Sequence, residues 1–257
     1  MGELLFLGTG DPFNYERTQT ALAVPLPGGE TMLIDTASGT DLLGQFDRAG
    51  IALAGIRHLV MTHRHFDHAG GLAPLLVDLV AVPDAAITVY ATAETGRALH
   101  DLLHITIPGV EDWLGPRLHW QTIEPERPLV LGDLEITPFE VEHGIECVGL
   151  RVARDGRAAV FSSDTCPCPN LVRHARGADL LIHEVYSLDA QAEEAHRFGH
   201  STAVDAGAAA RDAGVGRLVL THFRAPKYVA VEELRAEAAA IFPGPVTPAE
   251  DLLRVAF

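Results

Sequence analysis

The segment Thr62-His63-Arg64-His65-Phe66-Asp67-His68 narrows the possible folds of this chain more than any other. His63, His65, Asp67 and His68 all carry metal-ligating atoms, and they fall within six positions directly after Arg57–Thr62, an apolar run that reads as a strand. A chain leaving a strand at Thr62 can aim all four side chains at one point. Imidazole nitrogen with carboxylate oxygen suits Zn2+, with Mn2+ or Fe2+ as alternatives, and four ligands exceed what one open catalytic ion needs from so short a segment. Two divalent cations are therefore expected. Three further residues have the same setting: His143 follows Ile136–Val141, Asp164 follows Ala159–Ser162, and His222 follows Leu218–Thr221. Loops at strand ends are where layered α/β folds place their sites.

The rest of the chain alternates strand-like and helix-like runs. Leu4–Leu7 leads into Gly8-Thr9-Gly10, which reads as a tight turn. Thr20–Leu26 and Thr31–Ile34 flank the hairpin signal Pro27-Gly28-Gly29. A helix opened by Ser38 or Thr40 should end near Gly50, a second should run from Gly71 to about Leu79, and a third from its Thr92 cap to about Leu103, after the strand Ile87–Ala91. His104–Pro128 contains both tryptophans, Trp113 and Trp120, and two Pro/Gly pairs; it is expected to be an irregular binding loop or lid. The second half offers strands at Leu134–Val141, Val148–Val152, Ala158–Ser162, Leu180–His183 and Leu218–Thr221, with a tight turn at Asp155-Gly156. A Thr202/Asp205 capping box opens a helix toward Gly214, and another helix spans Val231–Ile241. Two blocks of strands, each with its helices, predict two sheets packed face to face with helices outside, in one domain over residues 1–257.

A formal charge of −16 opposes long-range attraction to nucleic acid. No apolar run approaches the roughly 20 residues of a membrane span, and Met1–Leu7 lacks the basic start of a signal peptide. No membrane partner and a cytoplasmic location follow. Three cysteines are too few for a disulfide framework; Cys166 and Cys168 read as incidental thiols in a loop.

Taken in order, Phe6-Leu7-Gly8-Thr9-Gly10, Leu33-Ile34-Asp35, the His63–His68 cluster with Gly70-Gly71, Ser163-Asp164-Thr165, Leu181-Ile182-His183-Glu184, Gly199-His200-Ser201-Thr202-Ala203, Leu220-Thr221-His222 and Ala249-Glu250-Asp251-Leu252 resemble the metallo-β-lactamase superfamily, and within it the ribonuclease Z (tRNA 3′-processing endonuclease) branch. The resemblance implies an α/β fold, a four-layer αβ/βα sandwich with metals at one edge. It implies that His63, His65 and His143 hold one ion, that Asp67, His68 and His222 hold the second, and that Asp164 bridges them. The activity implied is that of a dinuclear metal-dependent hydrolase, a phosphodiesterase in which hydroxide shared by the cations attacks the substrate. Asp67 would orient the nucleophile, and His200, oriented by Glu184, would assist the leaving group. A homodimer is implied as well.

Two features depart from that branch. Its RNA-clamping arm would fall between Val148–Val152 and Ala158–Ser162, where only Ala153-Arg154-Asp155-Gly156-Arg157 stands, and its basic tract ahead of Arg17 is replaced by Asp11-Pro12-Phe13-Asn14-Tyr15-Glu16. With the charge of −16 these departures argue against a large RNA and leave a small-molecule or phosphodiester substrate as the expectation. The alternatives are a lactone, carboxylic ester or aryl sulfate hydrolase on the same scaffold, favoured by the missing arm and the tryptophan-bearing segment, and a tRNA 3′-processing endonuclease.

Overall fold

The computed structural model describes residues 2–257; Met1 lies outside the described residues. In chain order the strands are β1 (Glu3–Gly8), β2 (Ala21–Pro25), β3 (Thr31–Ile34), β4 (Ile56–Val60), β5 (Ile87–Ala91), β6 (Leu118–Thr122), β7 (Leu129–Leu131), β8 (Leu134–Glu140), β9 (Val148–Arg154), β10 (Arg157–Phe161), β11 (Leu180–Glu184), β12 (Leu218–Thr221), β13 (Val246–Pro248) and β14 (Arg254–Ala256). They form two seven-stranded sheets, ordered β14-β1-β2-β3-β4-β5-β6 and β13-β12-β11-β10-β9-β8-β7. Within them β3 to β6 run parallel, as do β10 to β13. The helices are α1 (Asp41–Ala49), α2 (Phe66–Ala69), α3 (Leu72–Val80), α4 (Ala93–Thr106), α5 (Val110–Leu114), α6 (Pro169–Ala175), α7 (Ala192–Arg197), α8 (Ala203–Ala213) and α9 (Val231–Ile241).

The period-two alternation of strands sorts the apolar residues into layers. In β1, Leu4 and Phe6 join Met32, Ile34, Ile136, Leu150, Phe161 and Ile182 between the sheets. Leu5 and Leu7 instead face a helical layer with Leu42, Phe46, Leu72, Leu76 and Leu99. The opposite helical layer packs Leu171, Ala206, Ala210 and Leu234 on Val160, Leu181 and Leu220. Four layers result, helix on sheet on sheet on helix, as the periodicity predicts. Each fully buried Leu or Phe contributes about 1.5–3 kcal/mol, so these three apolar layers carry the stability that a site full of buried polar groups cannot.

The two-residue turn between β9 and β10 is very tight. Asp155 (φ 53°) and Gly156 (φ 77°) make it, with Arg154 paired to Arg157, so no arm protrudes there. Among the described residues, no helix is long and apolar enough to cross a membrane.

His104–Pro128 departs from its expected irregularity. The helix α4 continues to Thr106, α5 follows, and β6 pairs in parallel with β5 from Ile87↔Leu118 to Ala91↔Thr122. Gly109 (φ 93°) and Gly115 (φ 53°) supply the left-handed turns that link these pieces, so the Pro/Gly pairs punctuate regular structure. The segment therefore packs on the first sheet as regular structure and is not the irregular loop or lid its composition suggests.

Gly8 is needed for a different reason: a Cβ built there would stand 1.8 Å from the Gln19 carbonyl oxygen, on the turn beside the site. Gly8→Ala is expected to destabilise the protein by about 1–3 kcal/mol, seen as a lower urea midpoint at unchanged slope. An unmoved midpoint would contradict this packing.

Candidate metal centre

The candidate ligands lie just past the C-terminal ends of the parallel strands β4, β10 and β12 and of β8, which pairs antiparallel with both its neighbours. After β4, His63 lies at the strand exit, His65 is the residue before α2, and Asp67 and His68 are inside it. After β8 comes His143; after β10, Asp164; after β12, His222. Asp35 (φ 60°), Ser163 (φ 53°) and His222 (φ 60°) all adopt the left-handed conformation that non-glycine residues avoid. Such backbone strain persists where the surroundings over-determine it, typically at functional sites.

All seven sequence-predicted metal residues come together. One group joins His63, His65, His143 and Asp164; another joins Asp67, His68, Asp164 and His222, and within each group the candidate ligand atoms lie within 4.8 Å of one another. Asp164 belongs to both. Its Oδ1 lies 3.3 Å from His68 Nε2 and 3.5 Å from His222 Nε2, while its Oδ2 lies 3.6 Å from His63 Nε2 and 4.0 Å from His143 Nε2.

These separations suit cations. Two ligands each about 2.1 Å from a tetrahedral ion lie about 3.4 Å apart, longer than a hydrogen bond. His63 Nε2, His68 Nε2 and Asp164 Oδ1 are buried without a hydrogen-bond partner, a costly arrangement unless something else binds them. Donor type, spacing and orphaned atoms all fit two divalent ions.

In His63, His68 and His143 the ring nitrogen turned away from the centre is fixed by a neighbour, which sets which nitrogen is free inside; Nδ1 of His222 is buried without a partner. His68 Nδ1 donates to Asp35 Oδ2 (2.8 Å), and the same carboxylate accepts from Thr62 N (2.8 Å) and Thr62 Oγ1 (2.7 Å). His63 Nδ1 donates in turn to Thr62 Oγ1 (3.0 Å). His143 Nδ1 donates to the Gly199 carbonyl (2.8 Å), where the backbone is left-handed (φ 81°) and a Cβ would sit 2.8 Å from that same nitrogen. Only glycine fits at 199. Asp35 and Gly199 were not singled out as site residues from the sequence; Asp35's position just past β3 was the available signal.

Electrostatics divide the histidines. Burial, reinforced by neighbouring His68, holds His63 well below the usual imidazole range, and burial with His143 lowers His65. Burial also opposes charge on His68 and His222, but Asp164 and Asp67 outweigh it: His68 rises well above the ordinary value and His222 to about 9. Burial opposes the charge on Asp164 too, and the facing His222 and His68 more than offset it, holding this carboxyl well below the usual range.

Beside this centre His200 Nδ1 bonds Glu184 Oε1 (2.9 Å), the oxygen that also accepts from Thr165 N (3.0 Å) and Ser201 N (3.2 Å). The His200 ring lies 5.2 Å from that of His143 and 5.5 Å from that of His222. Burial disfavours its charge, yet Glu184 prevails and raises its pKa. Glu184, His200 and His222 also form a group with ligand-type atoms within 4.8 Å, but Nδ1 of His200 is already committed to Glu184. His183 is buried with Nδ1 on the Glu184 carbonyl (2.7 Å), and the Cys166 thiol faces the His196 carbonyl (3.3 Å); neither belongs to a metal-type group among the described residues.

A family model described as "Beta-lactamase superfamily domain" matches residues 30–223. The chain is 30% identical over 281 residues to ribonuclease Z of Mycolicibacterium paratuberculosis, spanning 99% of this chain and 98% of that protein. It is 31% identical over 302 residues to ribonuclease Z of Thermobifida fusca, spanning 99% and 94%. Both alignments exceed the 257 residues here, so these relatives carry segments this chain lacks. Among solved structures, the metallo-beta-lactamase fold protein YhfI from Bacillus subtilis superposes with a TM-score of 0.84 at 21% identity, over 100% of this chain and 99% of that one. Human tRNase Z, short form, gives 0.77 at 24% identity, over 99% and 98%. A diphosphatase from the PhnP family gives 0.78 at 22%, over 100% and 98%. By family model, by identity across nearly its whole length and by fold, the chain belongs to the β-lactamase superfamily, in the metallo-β-lactamase-fold group that includes ribonuclease Z.

Proposed function

We propose that residues 1–257 act as one dinuclear metal-dependent phosphodiesterase, with His63, His65 and His143 at one ion, Asp67, His68 and His222 at the other, and Asp164 shared. The observation that carries this reading is the His200–Glu184 pair (2.9 Å) standing against the rings of His143 and His222. A pair of divalent cations, when bound, supplies hydroxide at neutral pH and neutralises charge on phosphoryl oxygens. The chain's own groups do the rest. Asp67, whose Oδ2 lies 3.2 Å from His222 Nε2, orients the nucleophile. His200 gives a proton to the leaving oxygen from Nε2, because Nδ1 is held by Glu184. Glu184 is a positioning residue, fixed by three donors on one oxygen.

The tight β9–β10 turn and the charge of −16 support a small or medium phosphodiester over a folded RNA. Zinc as the native metal, a homodimer and a cytoplasmic location belong to the same proposal; elemental analysis and sedimentation test the first two. Turnover of bis(p-nitrophenyl) phosphate by the metal-loaded protein, lost in His63→Ala, is the expected result. Full metal occupancy without any diester turnover would overturn the reading.

The raised pKa of His222 gives a pH test with a definite sign. In metal-stripped protein the protonated ring contributes stability that is whole below pH 6.5 and lost as pH rises through about 9. Cation uptake must displace that proton. The Tm of stripped protein should therefore fall between those limits while affinity for Zn2+ rises, with proton release measurable by calorimetry in buffers of different ionisation enthalpy. Uptake without proton release at neutral pH would contradict it.

A further inference from the structure

Outward from His222, rings and cations follow one another in face contact. His222 stacks on His200 (centroids 5.5 Å, planes 23° apart), and His200 stacks on Tyr186 (5.1 Å, 10°). The Arg224 guanidinium lies 4.4 Å from the centroid of Tyr186 and 4.2 Å from that of Tyr228. Lys227 Nζ follows, 4.9 Å from Tyr228 and 5.7 Å from Tyr15. Both cations sit on the segment after a metal-site residue, in a chain that is otherwise strongly acidic.

Rings on its faces leave a guanidinium its N–H edge, the part that reads phosphate or carboxylate in a planar, bidentate way. The Arg224 side chain is only 12% exposed, and its Nε is buried without an acceptor. The acidic groups around it do not fill that need. Glu194 Oε1 stays 3.8 Å from a terminal nitrogen, beyond hydrogen-bond reach. Asp11 feels the guanidinium only through its charge, and Asp11 Oδ1 accepts from Phe13 N instead (2.9 Å). Nε itself is closed to solvent, so an acceptor arriving with the substrate would meet the terminal guanidinium nitrogens, which have no hydrogen-bond acceptor of their own. The ring of Tyr186 contacts both His200 and Arg224 and keeps them apart. That acceptor is therefore a different group from the one His200 serves, a ring's breadth further out on the leaving side.

We propose that Arg224 is the receptor for a second phosphate on the leaving side of the substrate, with Lys227 adding charge at its rim, so that the protein selects phosphodiesters bearing a further phosphate. This rests on the phosphodiesterase reading and adds a specificity-determining residue to it.

The test is calorimetric titration of metal-loaded protein with thymidine 3′,5′-bisphosphate and thymidine 5′-monophosphate, for wild type, Arg224→Met and Arg224→Lys, with thermal melts confirming the fold. Wild type should bind the bisphosphate at least about tenfold more tightly, the scale of one charge-assisted hydrogen bond. Arg224→Met should bind both alike, and Arg224→Lys should keep part of the preference. Equal affinities in wild type would overturn the proposal, as would a preference that survives in Arg224→Met. A preference lost in Arg224→Met, in protein that hydrolyses no diester, would support the subsite and overturn the phosphodiesterase reading.

Discussion

Asp164→Ala should empty both metal positions at once. Asp164 is the one residue common to the two ligand groups, with Oδ1 facing His68 and His222 and Oδ2 facing His63 and His143. Removing the shared carboxylate leaves each group one ligand short and removes the negative charge that two cations in one pocket need between them. Elemental analysis should fall from two ions per chain to below one, and kcat/KM should drop at least about 10³-fold, since charge stabilisation and nucleophile supply disappear together. The comparison is Asp35→Ala. That carboxylate touches His68 Nδ1 and Thr62 but lies outside both ligand groups, so its loss should weaken metal affinity by about 10–100-fold without abolishing binding. An Asp164→Ala protein that retains two ions would mean the groups do not share a ligand.

The second large effect belongs to His200. His200→Ala should lower kcat by about 10²–10⁴-fold toward a diester with an alkyl leaving group while leaving metal content unchanged. The loss should be far smaller with p-nitrophenolate, which departs without a proton. That split separates proton donation from a structural role, because a collapsed site would lose both substrates equally. Glu184 raises the pKa of His200, so wild-type turnover of the alkyl diester should decline at alkaline pH as the imidazolium is lost, and that limb should vanish in the variant. Glu184→Gln should lower that pKa and cost less than His200→Ala. Equal losses on both substrates would assign His200 to packing.

Local features of the chain were readable before its fold was known. His63, His65, Asp67 and His68 converge because a strand exit and a four-residue helix need only neighbours in sequence. His143, Asp164 and His222 were readable one step less directly, as polar residues after apolar strands. Asp35 was harder, because its bonds to His68 and Thr62 span 33 and 27 positions and leave no local pattern. The same holds for Gly199, whose necessity arises from the ring of His143. Edge strands were the weak point of the fold reading. In β6 none of the five residues is fully buried, and β14 is three residues long with its pairing residue Glu3 some 250 positions away, so each alternates too briefly or too near the surface to stand out in the sequence. Arg224 and Lys227 could be seen as charges, but their places against Tyr186, Tyr228 and Tyr15 depend on long-range packing.

The central claim is that seven side chains share two cations through Asp164. Anomalous diffraction at the zinc edge, from crystals grown with Zn2+, tests it most directly. Two peaks are expected, one among His63, His65, His143 and Asp164, the other among Asp67, His68, His222 and Asp164. A single peak, or peaks away from Asp164, would contradict it.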